Sequence, residues 1–465
     1  MPGFHVEHFG CRAARADGEA LSGRLRAAGH DAGKPAEAEL IVVNTCSVTA
    51  EADRAARAYI RRAHRINPGA RIVVTGCYAQ RAPEELAGLA GVAAVIGNSH
   101  KALAPEIAIQ IAGGSENATR QAGFVPTHAL FAGAAPVWMD DRFAHSFMEE
   151  APTAGDRQTR PNLKIQEGCG NRCTFCVIPQ TRGPSRSLAH ATIVRNVRDF
   201  VSAGGNELVL SGINLGRWGR DLSAEAGAPN ITLASLVGEI FETTALPRLR
   251  LSSIEPMDWD CGLIGLMREY GGTRLARHAH LPLQSGSDAV LRRMHRRYRP
   301  WHYAEKVAAL MDATGPDLTL GADVMVGFPG ETDAEFEETL AFIRTLPFGY
   351  LHIFPFSPRP ATSGWQLHAA TPVPPHAVDA RLSALRALAA EKTRNHSRQF
   401  LGRQLSAITL HTPEPLAAQG RTAALTENFL PVEVDNRLPA NRLVRLRADG
   451  FTPTESLFCT MQISG

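Results

Sequence analysis

The sequence predicts an α/β protein in three parts: an N-terminal parallel α/β sheet domain, a central partial (β/α)6 barrel and a small C-terminal antiparallel β-barrel. Three observations carry this. Short apolar runs alternate with amphipathic stretches over the first 100 residues, at Phe4–Phe9, Leu40–Asn44, Arg71–Thr75 and Val92–Ile96. The same alternation restarts after residue 160 and yields six β/α units. Beyond residue 400 only short β-type runs remain, separated by turn residues.

In the first part (1–112), the stretch Glu51–Ile66 reads as a helix that stops at Asn67-Pro68-Gly69, and Pro83 with Glu84 and Glu85 reads as the first turn of another. Residues 113–160 lose the rhythm, are rich in Ala, Gly, Pro and Thr, and are expected as a linker. In the central part (161–399) the expected strands are Leu163–Gln166, Glu207–Leu210, Leu249–Ser253, His278–Leu283, Leu318–Val326 and Tyr350–Phe354. Helices are expected between them at Leu188–Ala203, Asp258–Tyr270 and Asp333–Thr345. An open doubly wound sheet would give a similar string. A last helix, about Pro375–Phe400, leads into the third part (400–465), with strands expected at Ser406–Leu410, Leu430–Val434, Arg442–Leu446 and Leu457–Ile463.

Composition excludes little. Hydrophobic residues make up 44% and charged residues 20% of 465 residues, and the net charge of +3 is too small to argue for nucleic-acid binding. The N-terminal residues have neither the basic start nor the apolar run of a signal peptide, and no stretch approaches the roughly 18 apolar residues of a membrane span. A cytoplasmic protein with no membrane partner is therefore expected, in which eight cysteines are first read as metal ligands or reactive groups.

Six of the eight fall into two sets. Cys169, Cys173 and Cys176 form C-x3-C-x2-C in a loop directly after a predicted strand. Three thiolates so spaced can wrap one face of a cube-shaped iron–sulfur cluster and leave its fourth iron open. A zinc site completed by a fourth ligand is the alternative. Cys11, Cys46 and Cys77 are far apart in sequence, yet each follows a predicted strand. If those strands are parallel, the thiols converge on one carboxyl edge, with Gly10 and Gly76 easing crowding there. Three separately buried thiols are the plainer reading. Cys261 and Cys459 read as core.

The C-x3-C-x2-C loop resembles the signature of the radical S-adenosylmethionine (SAM) superfamily. Together with the N-terminal cysteines, it resembles the methylthiotransferases within it. Matching segments are Asn44-Thr45-Cys46-Ser47-Val48-Thr49, Thr75-Gly76-Cys77-Tyr78-Ala79-Gln80, Cys176-Val177-Ile178-Pro179, His280–Ser287 and Val326–Thr332. The chain departs from the pattern at Ala13-Ala14, where a polar Asn-Gln pair is expected.

The resemblance implies two [4Fe-4S] clusters, one on each cysteine set, and SAM as cofactor. One SAM would methylate a sulfide on the first set's cluster. A second, split on the Cys169 set to a 5′-deoxyadenosyl radical, would start transfer of the methylthio group to carbon 2 of an adenine. It places Phe175 beside the SAM adenine and Ser211, Gly212 and Asn214 at its methionine end, with Ser253 and Gln284 as further cofactor contacts. It implies a tRNA anticodon stem-loop as partner, a flavodoxin- or ferredoxin-like electron donor, and a terminal RNA-binding barrel of the TRAM type.

Family branches modify isopentenyladenosine in tRNA, threonylcarbamoyladenosine in tRNA, or an aspartate of a ribosomal protein. The short Arg182-Gly183-Pro184-Ser185-Arg186-Ser187 stretch, with Ser211–Gly216 and Leu251–Pro256, resembles the threonylcarbamoyladenosine branch. Arg182 and Arg186 are then expected to meet the substrate's carboxylate. The basic run Arg292, Arg293, Arg296, Arg297 and Arg299 offers RNA-phosphate contacts, against the plainer reading of a solvated helix face. A rival from another class is an iron–sulfur RNA-binding or electron-transfer protein without radical chemistry.

Overall fold

The computed structural model describes residues 3–113, 135–147, 159–222 and 231–462. It divides into two compact units. The first comprises Met1–Glu150, Glu167–Arg186 and Ser357–Trp365; the second comprises Ala151–Gln166, Ser187–Phe356 and Gln366–Gly465.

The first unit is built on strands β1 (Gly3–His8), β2 (Asp31–Ala32), β3 (Leu40–Thr45), β4 (Arg71–Gly76), β5 (Val92–Gly97) and β6 (Val137–Trp138). They form one sheet in the order β2-β1-β3-β4-β5-β6, with every pairing parallel. Both faces are covered, which is why β3 reads as an uninterrupted apolar run. Ile41, Val43, Ile72, Val74 and Val95 pack with Ala56, Tyr59 and Ile60 of helix Ala50–Ile66. Their neighbours Leu40, Val42, Val73 and Ile96 join Leu21 and Leu25 of helix Arg12–Ala27 and Ile107 of helix Ala104–Ala112.

β6 lies inside the stretch expected as linker. Ala135-Pro136-Val137-Trp138 closes the sheet's edge, with Val95 N–H donating to the Pro136 carbonyl at 2.9 Å and Val137 and Trp138 buried. A two-residue strand in an Ala/Gly/Pro-rich stretch has no periodicity to betray it. The Glu149–Arg160 part of that expectation falls, up to residue 158, outside the described residues.

The second unit carries β7 (Asn162–Glu167) up to Gln166, β8 (Arg186–Ser187) from Ser187, β9 (Glu207–Gly212), β10 (Arg248–Leu251), β11 (His278–His280), β12 (Thr319–Val326) and β13 (Phe348–Pro355), while Glu167 and Arg186 belong to the first. From β7 the long strands neighbour one another in chain order, β7-β9-β10 and β11-β12-β13, all parallel. A parallel bridge between Leu249 and Leu275 connects the two groups. Chain-order neighbours mark a (β/α) barrel; a doubly wound sheet reverses direction at a switch point. Helix Asp333–Thr345 starts where expected because Thr332 and Glu335 make a reciprocal capping box. β11 is shorter than the expected run to Leu283: Pro282 has no N–H to donate, and Gln284 turns the chain with φ +66°.

Helix Pro375–Arg398 leads into a closed barrel, β14 (Gln404–Thr409), β15 (Thr422–Thr426), β16 (Pro431–Val434), β17 (Leu443–Phe451) and β18 (Leu457–Met461), ordered β14-β15-β16-β18-β17. Leu405, Val432, Val434, Leu446, Leu457 and Cys459 fill it. β15 was not among the expected strands, since Ala423 and Ala424 dilute its β signal. Cys459 is core as expected; Cys261 is exposed at a helix start instead, where Asp260 caps the helix.

A buried ion cluster ties this barrel to the larger sheet within the second unit. The fully buried Glu207 accepts from Arg250 Nε at 2.9 Å and Arg248 Nη1 at 3.3 Å. Burial raises its pKa, but Arg250, Arg160 and Arg248 together hold it below the ordinary value. The same arginines reach on, Arg248 to Ser406 Oγ at 2.7 Å and Arg250 to the Thr426 carbonyl at 3.2 Å. Removing the anion strands two buried cations, so Glu207→Ala should cost about 3–5 kcal/mol in denaturant unfolding. A loss under about 1 kcal/mol would show that the cluster is not a structural tie.

Candidate metal and cofactor sites

Cys11, Cys46 and Cys77 occupy equivalent positions. Cys46 follows β3 directly, Cys77 follows β4, and Cys11 caps the helix after β1. Since β1, β3 and β4 are adjacent and parallel, all three lie on one carboxyl edge of the first unit. The glycines serve the backbone at this edge. Gly10 (φ +104°) leaves room for Cys46, whose Sγ would lie 2.8 Å from an added Cβ. Gly76 (φ +103°) likewise clears the Thr45 backbone.

Cys46 and Cys77 are buried and Cys11 is exposed. Burial, then the nearby Cys77 and Cys11, push the Cys46 thiol up to about 12. Three thiols this close resist ionising together unless a cation joins them, which suits a metal-ligand set.

Arg182 supplies fixed positive charge here. Its side chain is fully buried; Nη1 donates to Glu167 Oε1 at 2.7 Å and to Asp17 Oδ2 at 3.2 Å. Burial opposes its charge, but Cys77, Glu167, Asp17 and Cys11 hold its pKa well above the ordinary value. Asp17 also accepts from the buried Lys101 at 2.6 Å. Arg182 Nε and Nη2 are buried with no hydrogen-bond partner among the described residues, as donors meant for an anionic group would be. The donor set thus fits a thiolate-held cluster.

This corrects the expectation that Arg182 meets the substrate's carboxylate. Its charge is spent on two carboxylates and the cysteine site, because an unpaired guanidinium could not be buried so deeply. Arg186 is half-buried as well, with Nη2 donating to the Arg182 carbonyl at 2.9 Å and Nη1 to that of Phe143.

The Cys169, Cys173 and Cys176 loop belongs to the same unit. All three thiols are partly exposed. Cys169 N–H donates to the Gly183 carbonyl at 3.1 Å, Cys176 N–H to that of Cys173 at 3.2 Å, and Asn171 N–H to Cys169 Sγ at 3.4 Å. Residues 357–365 brace the loop: Gly364 N–H donates to the Thr174 carbonyl at 2.7 Å and Gln180 Nε2 to that of Ala361 at 2.6 Å. Phe175 is half-buried within it. Asn98 Nδ2 links the two cysteine sets, donating to Thr181 O at 2.8 Å and to Cys77 Sγ at 3.4 Å.

Sequence reasoning missed Asp17, Lys101, Asn98, Asp53 and Arg359. Asp53 accepts from Arg81 Nη2 at 2.9 Å and from Arg359, and both arginines also donate to Ser47 Oγ, beside Cys46. The one available signal was Asp17 on the apolar face of a helix, flanked by Ala13, Ala16, Ala20 and Leu21.

In the second unit the expected cofactor residues gather at the carboxyl ends of successive strands. Ser211 and Gly212 end β9, Asn214 follows them, Ser253 follows β10, and Gln284 follows β11. Gln166 Oε1 accepts from Asn214 N–H at 2.7 Å. Gln284 sits in the left-handed region, held by its N–H to Asp323 O at 2.8 Å, and its buried Oε1 has no partner among the described residues. Strain plus an unsatisfied acceptor at this edge suits a ligand contact. The basic run is mostly internally paired. Arg293 is bidentate on Glu335 of helix Asp333–Thr345 at 2.7 and 2.8 Å; the exposed Arg292 pairs with Asp288.

Arg182→Ala would leave Asp17 and Glu167 buried with less compensation. Denaturant unfolding should show a loss of about 3–5 kcal/mol, partly recovered by adding Glu167→Gln. A near-neutral Arg182→Ala would mean that the arginine is not balancing this site.

Residues 3–97 match the uncharacterized protein family UPF0004, and residues 163–343 match the radical SAM superfamily. The chain is 32% identical over 441 residues to the threonylcarbamoyladenosine tRNA methylthiotransferase of Aquifex aeolicus, covering 95% of this chain and 98% of that one. To the enzyme of the same name from Bacillus subtilis it is 32% identical over 92% of this chain and 89% of that one. A tRNA-2-methylthio-N6-dimethylallyladenosine synthase of Sorangium cellulosum is 33% identical, with 79% and 74% covered. In fold, the chain resembles the radical SAM methyltransferase TsrM of Kitasatospora setae, with a TM-score of 0.53 at 16% identity, covering 76% of this chain and 72% of that one. With relatives this similar along nearly their full length, the chain belongs to the radical SAM methylthiotransferase family.

Proposed function

We propose that this enzyme converts N6-threonylcarbamoyladenosine next to the anticodon of tRNA into its 2-methylthio derivative. The observation that carries the reading is the end-to-end similarity to relatives bearing that activity in their names, covering 98% of the Aquifex aeolicus chain. A second reading, methylthiolation of isopentenyladenosine, is favoured by relatives named tRNA-2-methylthio-N6-dimethylallyladenosine synthase, among them that of Sorangium cellulosum, covered over 74% of its length.

Membership in the family brings SAM and one [4Fe-4S] cluster. Cys169, Cys173 and Cys176 fit that cluster, with no fourth cysteine in their loop. A second [4Fe-4S] cluster on Cys11, Cys46 and Cys77 is part of the proposal, supported by their convergence and by the buried Arg182 beside them. When bound, the clusters and SAM supply the one-electron chemistry and the sulfur transfer. This chain's own residues hold and shield them. Arg182 would offset thiolate charge through its two unsatisfied donors, and Asn98 would donate to the Cys77 sulfur. In the first unit Phe175 would contact SAM; in the second, Ser211, Gly212, Asn214, Ser253 and Gln284 are the proposed SAM contacts.

The RNA partner is supported by β17 of the small barrel and the residue before it, where Arg445, Arg447 and Arg442 are exposed. The target adenine lies in a loop, where splaying a base costs only a few kcal/mol. A flavodoxin- or ferredoxin-like protein would supply electrons. No helix among the described residues is long and apolar enough to cross a membrane.

Mass spectrometry of tRNA nucleosides from cells with and without the gene tests the substrate. The methylthio form of threonylcarbamoyladenosine should vanish on deletion while methylthio-isopentenyladenosine persists. The opposite pattern would overturn the assignment in favour of the second reading.

A further inference from the structure

The second unit holds a ligand set unrelated to either group of cysteines. His280 ends β11, Asp323 lies in the middle of β12 and His352 in the middle of β13. In the sheet register Asp323 pairs directly with His352, and His280 pairs with Gly321, two residues earlier on β12. Side chains alternate along a strand, so Gly321 and Asp323 share one face while Leu320, Ala322 and Val324 pack on the other, fully buried. Three adjacent parallel strands therefore deliver two imidazoles and a carboxylate to one spot.

The distances suit an ion. His280 Nε2 lies 3.2 Å from Asp323 Oδ2, and His352 Nδ1 lies 3.2 Å from Asp323 Oδ1. One donor atom from each of the three residues can be chosen so that all lie within 4.8 Å of one another. Tetrahedral donors about 2.1 Å from a zinc ion stand roughly 3.4 Å apart, close to the two 3.2 Å separations from Asp323.

The surroundings are those of a metal-bound histidine. His280 Nδ1 is 3.0 Å from the Tyr350 hydroxyl, which also meets His278 Nε2 at 2.8 Å. Fixing the far ring nitrogen aims Nε2 at Asp323, the arrangement that orients histidine ligands. Gly321 makes the room, since a Cβ there would collide with the Tyr350 ring at 2.1 Å. His280 is buried, whereas the His352 side chain is 62% exposed, giving an ion a way in.

We propose that His280, Asp323 and His352 bind one borderline divalent cation of the zinc or ferrous type, with a fourth position open to water or an anionic oxygen. Two nitrogens and one oxygen select this class over magnesium or calcium, which take oxygen ligands. The ion would clamp β11, β12 and β13 together on the face opposite Leu320, Ala322 and Val324.

The test uses the full chain, reconstituted with iron and sulfide without oxygen, then exposed to Zn2+ and desalted. Zinc and iron are counted together by mass spectrometry. The wild type should retain about one zinc beyond any held by cysteine. Asp323→Asn and His352→Ala should each lower it at least tenfold at unchanged iron content. His352→Cys, which keeps a ligand at the exposed position, should restore it. Unchanged iron and an unchanged thermal midpoint separate loss of the ion from loss of the fold. Equal zinc in the wild type and both variants, no zinc in the wild type, or no recovery with His352→Cys would overturn the proposal.

Discussion

Charge balance around Arg182 is the constraint on which the candidate chemistry of the first unit depends. Cysteine ligands work as thiolates, and several buried thiolates in one place repel. A fully buried guanidinium beside Cys77 and Cys11, itself held by Asp17 and Glu167, offsets part of that charge without a mobile counterion. Each partner needs the others, because any one of them alone would be a buried unpaired charge. The network also joins distant parts of the chain: Asp17 follows β1, Glu167 ends β7, and Arg182 lies a short helix beyond Cys176. Through it, and through Asn98, the loop of the second cysteine set is fixed to the site of the first.

Parallel sheets explain where the rest of the chemistry gathers. In the parallel sheet of each unit, considered by itself, strand ends point the same way, and successive residues beyond those ends meet at one edge. The first unit places three cysteines there and the second places Ser211, Asn214, Ser253 and Gln284. The left-handed Gln284 is a local cost accepted at such an edge, held by backbone bonds to the Asp323 carbonyl and from the Met325 N–H of β12.

Much of this was legible in the sequence. Long apolar runs located β1, β3, β4, β5 and the barrel strands to within a few residues, because buried parallel strands cannot hide their composition. Cysteine positions relative to strand ends revealed the first set without any spacing motif. The ends of β11, the two-residue β6 and the alanine-diluted β15 were not legible, since each depends on tertiary pairing more than on local preference. Arginines were misread for a related reason. Arg182 and Arg293 look alike as exposed basic residues in sequence, but what each faces comes from elements far away: Asp17 and Glu167 for one, Glu335 for the other. The His280, Asp323 and His352 grouping was invisible for the same cause, as three single residues on three strands carry no local pattern.

We propose that one compact unit holds two separate cluster sites. Iron analysis of anaerobically reconstituted protein tests it most directly. Wild type should bind about eight irons, and Cys169/Cys173/Cys176→Ala and Cys11/Cys46/Cys77→Ala should each keep about half. Only the former should abolish SAM cleavage. Loss of all iron from either triple variant would mean a single shared site and contradict the account.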